Sequence, residues 1–65
     1  MGQQDKALED YDTVLLIKPS RSYAYHNRAI LHLEMGQQDK ALKDYGMAIQ
    51  LEPTNARYYF DRANL

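Results

Sequence analysis

Apolar side chains recur along this chain at intervals of three and four residues, interrupted at regular points by proline and glycine. Between 4 and 17, Ala7, Tyr11 and Val14 fall at i, i+4 and i+7, with Leu8 and Leu15 alongside. Between 38 and 51, Ala41, Tyr45 and Ala48 repeat that stripe, flanked by Leu42 and Ile49. Between 23 and 34, Tyr25, Ala29 and His32 share one side, with Ala24, Arg28 and Leu31 adjacent. From 57 onward, Tyr59 and Ala63 begin the same way. Such spacing marks one face of an α-helix. Four helices are predicted, and no stretch alternates like a strand.

The boundaries carry matching chemistry. Asp5 and Asp39 fall in first turns, where the helix dipole favours an acid. Asp39 precedes Lys43 at i, i+4 in the favourable order. Pro19 and Pro53 stop a helix each, and Ser20 or Ser22, then Thr54 or Asn55, are placed to cap the next. Residues 35–37 either make a tight turn at Gly36 or straighten into one long helix that exchanges between chains.

The pattern is also copied. MGQQDKAL occurs at 1–8 and again at 35–42, an offset of 34 residues. Asp10/Asp44, Tyr11/Tyr45, Pro19/Pro53, Tyr25/Tyr59, Arg28/Arg62, Ala29/Ala63 and Leu31/Leu65 match at the same offset. A fixed period in this range means one supersecondary unit stacked on itself. Helices held at about 8–10 Å need small side chains at the crossing and large ones beside it. Ala29 and Ala41 supply the first, Tyr25 and Tyr45 the second. The expected core is Ala7, Tyr11, Tyr25, Ala29, Ala41, Tyr45 and Ala48.

These residues resemble the tetratricopeptide repeat, a unit of two antiparallel helices in about 34 residues. Residues 22–55 read as one full unit through Tyr25, Ala29, Gly36, Ala41, Tyr45, Ala48 and Pro53. Residues 1–21 then resemble the second helix of a preceding unit, and 56–65 the truncated first helix of a following one. The resemblance implies an all-α fold, antiparallel helix hairpins stacked as an α-solenoid with a right-handed superhelix. Val14 stands where a second small residue is expected, Gln4 and Gln38 replace a common aromatic, and His32 replaces another. These departures are expected to loosen packing locally.

The resemblance further implies a non-catalytic scaffold whose first-type helices line a concave groove for a protein or peptide. Carried over, the groove is Tyr23, His26, Asn27, Ile30 and Leu33, joined by Arg57, Phe60, Asp61 and Asn64. Some relatives grip a terminal carboxylate with an asparagine, a lysine and an arginine. Here Asn27 matches and Arg57 replaces the lysine, but Asp61 stands in the arginine's place and would repel an acidic tail. The alternative reading is a structural unit that assembles with copies of itself. The chain opens on a second-type helix and closes on a first-type one, so its two ends are complementary. Whether it is a piece of a longer array or a minimal unit, the same self-association is expected: a heterologous contact making rings or filaments, or a dimer by helix exchange.

Composition narrows the classes. Sixty-five residues give one small domain, which buries only about 60% of its unfolded surface. The formal charge is −1, with acids and bases interspersed, so there is no basic field for nucleic acid or an anionic membrane. With 45% hydrophobic residues the chain is not disordered. There is no cysteine, which suits an intracellular, cytoplasmic setting. No run is long and apolar enough for a membrane span, and the first residues lack the order of a signal peptide.

Candidate chemistry is sparse. His26 and His32 are six residues apart, on different helix faces, and do not share a metal. No serine is placed with a histidine and an acid, and the glycines form no phosphate loop. No catalytic residue, metal or cofactor is expected, and no enzyme. Gly46 is expected to ease a close helix approach, and Arg28 and Arg62 to lay their stems along neighbouring helices with wet guanidinium groups.

Overall fold

The computed structural model describes residues 2–65. They form α1 (Gly2–Ile17), α2 (Ser22–Glu34), α3 (Gln38–Leu51) and α4 (Ala56–Ala63), and among the described residues there is no strand. The predicted helices are all present, with α1, α2 and α4 each starting one or two residues earlier than the apolar pattern suggests. α2 packs most extensively on α3, while α1 lies on α2 and α4 on α3.

Of the two alternatives at 35–37, the single chain adopts the tight turn between α2 and α3. Gly36 has φ +76°, the left-handed region that side chains disfavour. The Gln37 N–H donates to the His32 carbonyl at 2.8 Å and the Gly36 N–H to the Leu33 carbonyl at 3.0 Å. This doubly bonded reversal caps the last carbonyls of α2 and sends α3 back antiparallel along it. At the other turn, the Asn55 side chain caps α4 by accepting from the Arg57 N–H at 3.0 Å. Serine capping of α2 does not occur: Arg21 holds the cap position with no side-chain bond. Ser22 is instead the first helical residue, and its hydroxyl donates to Glu52 at 2.8 Å. It thereby ties the start of α2 to the end of α3.

The core centres on the hairpin. Ala29 and Ala41 are 0% exposed and Tyr45 2%, with Ile30, Leu33 and Leu65 packed around them. A second cluster, Ala48, Ile49 and Tyr58, seats α4 on α3 with Tyr25 against it. Its counterparts one period earlier are Val14, Leu15 and Ala24, of which Leu15 and Ala24 are buried. At the α3–α4 junction the small Ala48 packs with the large Tyr58, while Val14 on α1 is half-buried.

Several expected core residues are only half-buried: Ala7, Tyr11 and Tyr25. On α4, Tyr59, which opens the periodic stripe, is 43% exposed, and Tyr58 is buried instead at 5%. The cause is geometric. Ala7 and Tyr11 correspond to Ala41 and Tyr45, whose face meets a hairpin partner, and no described helix lies there on α1. Tyr59 and Ala63 correspond to Tyr25 and Ala29 and likewise have no partner among the described residues. Gly46 also departs from expectation: a Cβ added there would meet nothing within 4 Å, so no close approach requires it.

Two glycines in one hairpin should therefore respond oppositely. Gly36→Ala forces a side chain into a left-handed conformation and should cost roughly 1–2 kcal/mol. Gly46→Ala removes a flexible residue from a helix interior and should add about 1 kcal/mol. Urea midpoints check both. Equal effects, or a loss at Gly46, would contradict this assignment.

Candidate partner-binding surface

The groove residues predicted on α2 and α4 do not all face solvent. His26 Nε2 lies 2.6 Å from Asp61 Oδ2. The His26 ring is tilted against Tyr58 at 4.8 Å and Tyr45 at 5.7 Å between centroids. Arg57 Nε donates to both Asp61 oxygens, at 3.2 and 3.3 Å. The side chains of His26 and Asp61 are largely covered, while Arg57 remains 72% exposed. The His26–Asp61 contact holds α4 alongside α2, and Arg57 braces Asp61 from within α4. Ile30 and Leu33 are half-buried against the Ala29, Ala41 and Tyr45 cluster. Asn27 is half-buried, and the Asn64 amide donates back to the Phe60 carbonyl at 3.0 Å.

What stays open is a smaller surface. Tyr23 is 50% exposed and Phe60 64%. Tyr23 precedes His26 by one helical turn, and Phe60 follows Arg57 by one turn, so both flank the His26–Asp61 contact. The carboxylate-gripping arrangement finds no support in this geometry, because Arg57 is engaged by Asp61.

A second polar cluster joins three helices, and the apolar pattern gave no hint of it. Arg28 on α2 makes a two-pronged contact with Asp44 on α3, Nε to Oδ2 at 2.7 Å and Nη2 to Oδ1 at 2.9 Å. Its Nη1 donates to Asp12 on α1 at 2.7 Å. The guanidinium also lies 5.4 Å from the centre of the Tyr25 ring. It is therefore committed rather than wet, and the Asp44 bonds, opposed by burial, raise its pKa further above the usual arginine value. His32 is buried between Gln37, 3.0 Å from Nδ1, and Asp44, 3.5 Å from Nε2. A cavity of about 390 Å³ opens beside this cluster, lined by Tyr25, Arg28, His32, Lys40, Lys43, Asp44 and Met47. A clue was present in the sequence: Arg28 and Asp44 both recur at the repeat offset, as Arg62 and Asp10.

Among the described residues, no three of histidine, cysteine, aspartate and glutamate gather as a metal site. Likewise, no helix there is long and apolar enough to cross a membrane.

The His26–Asp61 contact gives the fold an acid limb. The His26 hydrogen bond, opposed by burial and aided by Arg57, holds the Asp61 carboxyl below its ordinary value of 3.8. The unfolded chain thus takes up this proton more readily than the folded one. The stability that Asp61 contributes is complete above that ordinary value and is lost as pH falls through the folded one. The melting temperature should drop between about pH 5 and about pH 3, with a smaller drop in Asp61→Asn. Identical acid limbs for the two proteins would show that Asp61 is not so coupled.

The hairpin with its tight turn and the helix laid on each side give the geometry to set beside known proteins. A search of curated proteins finds no match. The family model described as tetratricopeptide repeat matches residues 22–55, a little over half the chain and the whole of the α2–α3 hairpin. Repeats of this family generally mediate protein–protein interaction and are typically non-catalytic scaffolds. With its stacked helical hairpin architecture and this match, the chain belongs to the tetratricopeptide repeat family.

Proposed function

We propose that this chain is a binding scaffold that takes up an extended peptide or a partner helix across the α2–α4 face. On this reading α1 serves as the second helix of a preceding repeat, and α4 as the first helix of a following one. The observation that carries the proposal is the pair of exposed aromatic rings, Tyr23 and Phe60, beside the exposed Arg57. Aromatic residues and arginine dominate the energetics of protein interfaces, because they bring large contact area at low entropic cost. The His26–Asp61 contact supplies a rigid floor between them, which lowers the ordering cost of binding.

A second reading is self-association. It is favoured by the uncovered faces of α1 and α4, and by Leu16 and Ile17, 84% and 68% exposed at the end of α1. Contiguous exposed apolar surface marks interaction sites.

The groove reading is tested by selecting peptides from a random displayed library on this chain and measuring their affinity by fluorescence anisotropy. Phe60→Ala and Tyr23→Ala should each weaken binding about tenfold or more, equivalent to about 1.4 kcal/mol. Leu42→Ser, on α3, should leave it unchanged. Peptides indifferent to both aromatic substitutions would place the binding surface elsewhere.

A further inference from the structure

The internal hairpin is a template for a contact between copies. Its central feature is Arg28, which spans from α2 to Asp44 on α3 while lying over the Tyr25 ring. Every member of that motif recurs one period away. Arg62 and Tyr59 on α4 correspond to Arg28 and Tyr25, and Asp10 on α1 corresponds to Asp44. Arg62 is already folded over Tyr59 with its guanidinium 5.6 Å from the ring centre, matching the 5.4 Å of Arg28 over Tyr25. It is therefore held in the posture that Arg28 uses to reach across, yet Arg62 and Asp10 are both exposed. Neither makes an ion pair among the described residues.

Resting on the self-association reading above, we infer that a second copy of this chain docks head to tail. α4 of one copy seats on α1 of the next as α2 seats on α3, with Arg62 bonded to Asp10 across the contact. The small and large residues agree with this register. Ala63 meets Ala7 as Ala29 meets Ala41, and Tyr11 fills the place of Tyr45. Phe60 takes the position of His26, whose ring lies 5.7 Å from Tyr45, and so comes against Tyr11. Asp12, the further partner of Arg28, has Gly46 as its counterpart, so the contact between copies keeps the two-pronged pair and loses the third bond. Because the contact is heterologous, it propagates rather than closing at two. It also covers Phe60, so a groove-bound peptide and a docked copy compete.

The test is sedimentation equilibrium over a concentration series reaching several hundred micromolar. It uses the unaltered chain, Arg62→Glu, Asp10→Lys and the double variant, with helix content checked by circular dichroism. The expected result is a weight-average mass that rises past the dimer. Each single substitution should weaken association roughly tenfold or more by setting like charges together, and the double variant should recover it. Association untouched by the single substitutions, or no recovery in the double variant, overturns this register while leaving self-association standing. A mass that plateaus at the dimer indicates helix exchange and overturns it too. A monomer throughout overturns both this inference and the self-association reading.

Discussion

The structure depends on the close approach of α2 and α3 at Ala29 and Ala41. Neither alanine retains any exposed surface, and Tyr45 packs into the space beside them with almost none. Interiors are packed to crystal-like density, so a larger residue at either alanine must push the helices apart or leave its rotamer. Everything else is positioned from this crossing. Gly36 permits the reversal that brings the helices together, and the α2 and α3 surfaces left over receive α1 and α4.

Polar contacts then fix register where apolar packing alone would tolerate sliding. Arg28 binds α3 through Asp44 and α1 through Asp12, so three helices share one cation. His26 and Asp61 do the same for α2 and α4. Breaking a covered pair by removing one partner is costly, because it strands a charge away from water. The Glu52 carboxylate adds a lighter tie at the α3 end, where the Ser22 hydroxyl and then Asn55 hold its pKa below the usual value. The α2–α4 contact largely covers His26 and Asp61, two residues expected to line the groove.

Much of the fold was legible in the sequence, because repetition and helical periodicity are written directly in residue spacing. The four helices and the burial of Ala29, Ala41, Tyr45 and Ala48 follow from local rules, whereas local rules left open both the turn at Gly36 and the choice between Thr54 and Asn55 as the α4 cap. The groove was less legible. His26 and Asp61 look like surface residues when each helix is read alone, and only the juxtaposition of α2 and α4 covers them. Tyr58 was overlooked in favour of Tyr59, because the periodic rule assigns Tyr59 to a hairpin face that no described helix meets. Tyr58 packs instead on Ala48 and Ile49 of the preceding helix, a contact that no single-helix pattern reveals. Gly46 misled for a related reason: glycine in a helix suggests a crowded crossing, and here the space is open. The Arg28–Asp44 pair was hidden because charges count as solvated faces until tertiary contacts pair them.

The central claim is that the α2–α3 hairpin is the stable unit and that α1 and α4 lean on it. Native-state amide hydrogen exchange, on chain diluted until it is monomeric, tests this most directly, because it resolves opening free energies segment by segment. The account predicts the slowest exchange in α2 and α3 around Ala29 and Ala41 to Tyr45, with α4 and the first turns of α1 opening well before the hairpin. Protection in α1 or α4 equal to or greater than that of the hairpin would contradict it.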